Sequence, residues 1–151
     1  MGEKVFFTSS PEETATVAKR LAALMTSDGF IALDGEMGAG KTAFVRGLVE
    51  AIAPDAPVCS PTYSLVNEYR GGDYPVFHFD VYRIDDEDEL YSAGFYDYIG
   101  EGLVVCEWSE KIPYALPKNT VFVRIEKLSY EEDPQCSRRK ITVTGDGIDK
   151  L

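Results

Sequence analysis

The sequence predicts an α/β layered domain on a mixed, largely parallel central sheet with antiparallel strands at the edges, and three observations carry that prediction. Two short apolar runs, Phe30-Ile31-Ala32-Leu33 and Leu103-Val104-Val105-Cys106, are bounded by glycines, as strands buried on both faces are. Helical spacing appears between and before them. Two late segments, 120–127 and 139–144, alternate with period two (Val121, Val123, Ile125; Ile141, Val143), as antiparallel strands with one wet face do. At 151 residues, 44% hydrophobic and 27% charged, the chain is expected to be one domain spanning 1–151 with an adequate core.

The first element expected is a helix. Ser10 is its N-cap, Pro11 its first helical residue and Glu13 the closing residue of a capping box. Val17, Leu21, Leu24 and Met25 form its buried stripe, and Ser27-Asp28-Gly29 its stop. The strand at 30–34 follows, then a glycine-rich turn and a second helix from Lys41. That helix carries Phe44, Leu48 and Ile52 on one line, with Val45 and Val49 beside it, and ends before Pro54. Strand-like stretches from Tyr63 to Arg70 and from Pro75 to Arg83 flank Gly71-Gly72-Asp73 and read as a hairpin. Asp85-Asp86-Glu87-Asp88-Glu89 suits the positive end of a short helix better than a metal site.

Charge narrows the function. Fifteen basic against 26 acidic side chains give a net charge of −11, so the counterion release that drives autonomous nucleic-acid binding is missing. Cys59, Cys106 and Cys136, with the single His78, fit neither a disulfide framework nor a zinc site, and reduced thiols with a buried Cys106 are expected. No apolar run approaches the roughly 20 residues of a membrane span. The first residues lack the apolar core of a signal peptide, so a cytoplasmic protein is expected.

Gly35-Glu36-Met37-Gly38-Ala39-Gly40-Lys41-Thr42 matches G-x-x-x-x-G-K-[ST] between a strand and a helix. Backbone N–H groups of such a loop curl around phosphates, and the helix N-terminus adds positive potential. Lys41 would neutralise the β and γ oxygens, and the Thr42 hydroxyl would ligate Mg2+. The motif sharpens the fold to a three-layer, P-loop NTPase-like domain. Gly38-Ala39-Gly40-Lys41-Thr42-Ala43 also fits the dinucleotide pattern, but its nearest acidic residue, Asp55, lies between Pro54 and Pro57 rather than at a strand end. A nucleoside triphosphate is the expected ligand.

Two carboxylates end apolar strands: Asp80 after Val76-Phe77-His78-Phe79, and Glu107 after the 103–106 run. Glu107 is the better metal partner, because ligands gather at the carboxyl ends of central strands; its alternative is to cap the next turn. Asp80 would orient the attacking water or a metal-bound water, or pair with Arg83. Ser60-Pro61-Thr62-Tyr63 resembles a switch segment whose Thr62 hydroxyl meets Mg2+ or the γ-phosphate, with a plain proline turn as the alternative. His78 reads as a packed strand histidine more readily than as a base, and Trp108 as core or pocket wall.

Taken in order, the 35–42 loop, Ser60-Pro61-Thr62-Tyr63, His78-Phe79-Asp80-Val81-Tyr82-Arg83, Glu89-Leu90 followed by Gly94, and the 103–108 segment resemble the bacterial TsaE (YjeE) family. These are small ATPases of tRNA threonylcarbamoyladenosine biosynthesis. The similarity runs from Pro11-Glu12-Glu13 to Arg138-Arg139. It implies binding of ATP or ADP with Mg2+, slow ATP hydrolysis, and docking onto a TsaB–TsaD assembly that transfers threonylcarbamoyl to the adenosine beside the anticodon. ATP turnover would reset that assembly. By position, Lys41 and Thr42 would hold the phosphates and metal, Glu107 would be the second metal ligand, and Asp80 and Thr62 would support hydrolysis. Glu13 and Arg138 would add nucleotide contacts. Val81 stands where the family often has Leu, and segment 127–136 matches nothing in it.

Two rival readings share the loop. A small-molecule kinase would close an Arg-bearing lid over the transferred phosphate, and here only Arg138 and Arg139 are adjacent. A nucleotide-gated binding module would dispense with chemistry. Taken with the resemblance, the acidic balance implies that the partner holds the tRNA, that docking uses complementary basic patches and weakens with salt, and that the isolated chain does not bind tRNA.

Overall fold

The computed structural model describes residues 2–36, 38–57 and 65–151, and seven strands in them join one sheet. In chain order the elements are β1 (Gly2–Thr8), α1 (Pro11–Ala22), β2 (Phe30–Gly35), α2 (Lys41–Ile52), β3 (Val66–Tyr69), β4 (Val76–Asp80), α3 (Glu87–Ser92), α4 (Phe95–Tyr98), β5 (Leu103–Glu107), β6 (Val121–Lys127) and β7 (Arg139–Gly145). The spatial order is β1-β7-β6-β2-β5-β4-β3. The four strands from β6 to β4 are parallel, while β1, β7 and β3 pair antiparallel.

β2 and β5 lie at the centre, and the residues from Phe30 to Leu33 and from Leu103 to Cys106 are buried. Alternate residues of these strands feed two cores. Ile31, Leu33 and Val105 pack with Val17, Leu21, Phe44 and Leu48 of α1 and α2. Phe30, Val104 and Cys106 pack on the other face with Phe79, Leu90, Phe95 and Ile112. Rings meet edge to face there, Phe79 with Phe95 at 5.0 Å and Phe30 with Phe95 at 6.1 Å between centroids. Gly47 lets the two large helices touch, since a Cβ there would come within 2.4 Å of the Ala15 carbonyl oxygen.

Four expectations need correction. The sequence reading began with a helix, but β1 precedes it as an edge strand along β7. Val5, Phe6 and Phe7 run together without alternation, because Phe6 packs on the core while Val5 and Phe7 stay 42% and 58% exposed. Helix α1 stops at Ala22 rather than near Ser27, its last turn closing by the tighter bonds Leu24 N–H to Leu21 O and Met25 N–H to Ala22 O. Elements cover both faces only over the β2-β5-β4 part of the sheet. Across β6, β7 and β1 no element among the described residues covers the second face, and Phe122 is 44% exposed. The hairpin appears as β3 and β4, with β4 ending at Asp80 rather than Arg83. The acidic run opens α3, where Asp86 Oδ1 accepts from Glu89 N–H at 2.8 Å.

Candidate functional site

The phosphate-loop sequence sits at the carboxyl end of central β2 and leads into α2. Its turn closes through Ala39 N–H to Glu36 O at 3.0 Å, and Ala39 is buried. Gly38 and Gly40 adopt φ of 80° and 109°, a region costly for residues with a Cβ, and Gly40 caps α2 without a side chain. The first backbone N–H groups of α2 therefore meet no side-chain cap and can receive an anion. A Cβ added at Gly40 would find only the Thr14 methyl, at 4.0 Å, so the N-terminus of α1 adjoins the loop. Glu13 stands there, its Oε1 accepting from Ser9 N–H at 3.0 Å while its own N–H donates to Ser10 Oγ at 3.1 Å.

Lys41, the first residue of α2, directs Nζ to Glu107 Oε1 at 3.0 Å. Glu107 ends β5 and is level with Leu33 of β2 on one side and Asp80 of β4 on the other. Its second oxygen accepts from His78 Nε2–H at 2.5 Å. Burial pushes the Glu107 carboxyl up, but hydrogen bonds and charge from His78 and Lys41 outweigh it and hold the group below its ordinary value. The histidine that sequence reasoning left as packing is thus the second holder of the carboxylate. A signal existed in the chain: β4 and β5 both end in a carboxylate, and aligning those ends brings His78 beside Val105, two residues before Glu107.

Asp80 is exposed, and its Oδ1 accepts from Tyr82 N–H at 2.9 Å. Among the described residues it forms no ion pair with Arg83. Beyond Glu107, Trp108 holds φ of 65°, unusual for a large side chain. Its ring lies 4.8 Å from that of Tyr82 and 6.0 Å from Lys41 Nζ, so it is a wall of the site rather than core. Lys111 closes this edge by donating to the Tyr82 carbonyl.

On the other side of the loop, Arg138 donates its backbone N–H to Asp133 Oδ2 at 2.7 Å and its side chain is exposed. The neighbouring Arg139 is the arginine that reaches the loop, through the Ala39 and Gly38 carbonyls. Lys127 also approaches, its Nζ 3.3 Å from where a Gly38 Cβ would lie. Met37 and the Ser60-Pro61-Thr62-Tyr63 segment, with Thr62, lie outside the described residues. Asp55, the acid that the dinucleotide reading would need, follows α2 at the end away from the loop.

Thr42, exposed in the first turn of α2, and Glu107 offer hard oxygen donors of the kind Mg2+ takes. Among the described residues no three or more His, Cys, Asp or Glu side chains gather into a metal cage. Such a donor set suits an ion completed by phosphate oxygens and water. Cys106 is fully buried, and burial and nearby Asp80, Glu107 and Glu110 push its thiol pKa up, so it is packing and not a ligand. Among the described residues no helix is long and apolar enough to cross a membrane.

A family model described as threonylcarbamoyl adenosine biosynthesis protein TsaE matches residues 8–140. A Bacillus subtilis protein named tRNA threonylcarbamoyladenosine biosynthesis protein TsaE is 36% identical over 141 residues, covering 93% of this chain and 84% of its own. A Nostoc sp. protein of the same name is 37% identical over 114 residues, covering 72% of this chain and 69% of its own. The crystal structure of Bacillus subtilis YdiB superposes with a TM-score of 0.74 at 29% identity, over 98% of this chain and 88% of that one. The chain therefore belongs to the TsaE family, whose members serve tRNA threonylcarbamoyladenosine biosynthesis.

Proposed function

We propose that the protein is an ATP-binding, slowly ATP-hydrolysing component of the machinery that forms threonylcarbamoyladenosine in tRNA, built as a single P-loop NTPase-like domain. The observation that carries this reading is the Lys41–Glu107 ion pair at 3.0 Å beside an uncapped helix N-terminus. A cation and a carboxylate that neutralise each other at rest are the two groups needed when a phosphate and a metal arrive together. ATP with Mg2+ supplies the phosphoanhydride bond and the charge that binds these groups. The backbone N–H groups at the start of α2 would receive phosphate, Lys41 would exchange Glu107 for phosphate oxygens, and Glu107 with the Thr42 hydroxyl would hold the metal. His78 keeps the Glu107 carboxylate in place through this exchange. Asp80, one strand over, orients water. The resemblance alone adds Thr62 to the hydrolytic groups, and Glu13 and Arg138 to the nucleotide contacts.

The chain's work is then a conformational step on a TsaB–TsaD-type assembly that holds the tRNA in the cytoplasm. Its net charge of −11 favours a basic docking surface and disfavours tRNA binding by the chain itself. Titration calorimetry with ATP and Mg2+ tests the site: the wild type binds, Lys41→Ala binds far more weakly, and equal affinity would sink the assignment. Cells depleted of the protein should lose threonylcarbamoyladenosine from tRNA. Undiminished modification would overturn the pathway, and phosphate transfer to a metabolite would favour a kinase.

A further inference from the structure

Arg139 spends its guanidinium on backbone. Nε donates to Ala39 O at 2.9 Å and Nη2 to Gly38 O at 3.1 Å, while Nη1 donates to Cys136 O at 3.1 Å and Arg138 O at 2.8 Å. All four acceptors are neutral carbonyls, and among the described residues Arg139 makes no ion pair. A planar fork that contacts only carbonyls sets direction more than it balances charge. The peptide unit that carries the Ala39 carbonyl carries the Gly40 N–H on its opposite edge, and the unit is rigid. Holding that carbonyl outward therefore aims the Gly40 N–H inward. The Gly38 carbonyl shares its peptide with the Ala39 N–H, which closes the turn onto Glu36 O at 3.0 Å.

The segment that presents Arg139 is built for the purpose. Arg139 opens β7, level with Lys127 of β6 and Thr8 of β1. Before it, buried Asp133 accepts from Arg138 N–H at 2.7 Å and donates its N–H to Ser129 O at 2.9 Å, and Cys136 N–H donates to Asp133 O at 3.0 Å. The stretch at 127–136, to which the sequence alone assigned no role, is thus a folded rack.

We propose that Arg139 is the positioning residue of the phosphate loop: its fork, held by the 129–138 rack, fixes the Gly38 carbonyl so that the Ala39 N–H closes the turn, and turns the Ala39 carbonyl out so that the Gly40 N–H is aimed at phosphate before any nucleotide arrives. The proposal rests on the nucleotide reading of the loop for its consequence, but not for its geometry.

Full-length Arg139→Ala and Arg139→Lys, with two readouts, test it. In hydrogen exchange without nucleotide, amides of 38–40 should exchange about tenfold faster in both variants, with the β2 and β5 amides unchanged. In calorimetry with ADP and Mg2+, both should bind about tenfold more weakly, or about 1.4 kcal/mol, with Lys nearly as impaired as Ala because it keeps the charge and loses the fork. Wild-type affinity in Arg139→Lys, or unchanged exchange at 38–40, overturns the proposal. Faster exchange throughout the sheet also overturns it, since that marks a merely stabilising residue. If Arg139→Ala fails to fold, Arg139→Lys carries both measurements. A wild type that binds no ADP would remove the nucleotide reading, and the exchange experiment would still decide whether Arg139 holds the loop.

Discussion

Asp80 and Glu107 look alike in the chain, each a carboxylate that ends an apolar strand, and they are level on neighbouring parallel strands. Their surroundings differ. Glu107 ends a central strand between β2 and β4, its side chain 14% exposed and held by Lys41 and His78. Asp80 ends the next strand outward, is exposed, and accepts from the N–H two residues on. One position toward the sheet edge thus separates a carboxylate kept ionised by two partners from one that mainly shapes a turn. A group held by a separate partner on each oxygen can give up one and stay placed by the other. A group facing water is poised to hold water.

The largest expected effect tests the inner carboxylate through its partner. Lys41→Ala should weaken ATP binding about 100-fold, the size of two lost charge-assisted hydrogen bonds, as calorimetry would read. A small loss would mean that the pair is structural. Next, Glu107→Gln should lower the hydrolysis rate on the order of 100-fold and remove the Mg2+ dependence of nucleotide affinity. Asp80→Asn should slow hydrolysis while leaving affinity within about threefold, because a water-orienting group acts on the barrier and not on ground-state binding. If Asp80→Asn instead changed the Mg2+ dependence, the two roles would have to be exchanged.

The fourth test uses acid. Glu107 has a folded pKa below its ordinary value, so it contributes stability above the unfolded pKa, and that contribution is lost as pH falls through the folded pKa. Urea unfolding of Glu107→Gln should therefore show a shallower loss of stability between about pH 5 and 3 than the wild type, taking 4.3 as the unfolded value. The smallest effect is local: Asp80→Ala removes the bond to Tyr82 N–H and should cost about 0.5–1.5 kcal/mol in thermal or urea unfolding.

Much of this site was legible before folding. The loop is eight consecutive residues, and its chemistry follows from backbone N–H groups, one Lys and one Thr, all local in the chain. The capping residues Ser10, Glu13 and Asp86 act within one helical turn and appear where their types require. The strand β1 was illegible for a physical reason. An edge strand with apolar residues on both faces has no period, and only pairing with β7 makes it a strand. The partner of Arg139 was illegible for another, since a partner reached across the sheet depends on register and not on spacing along the chain, and for His78 only the shared carboxylate ends of β4 and β5 hinted at that register.

By itself the sequence determined the α/β class, the central placement of β2 and β5, the glycine-rich turn between β2 and α2 and the two carboxylates that end β4 and β5. Those depend on burial periodicity and on short motifs, which the chain writes locally. Only the tertiary structure decided which partners those groups have. His78 reaches Glu107 across 29 residues and Arg139 reaches Ala39 across 100, because parallel register levels the ends of β4 and β5 and because β7 returns beside β6. The charges were in the composition from the start. The geometry that turns Lys41, Glu107 and His78 into one exchangeable set exists only in the sheet.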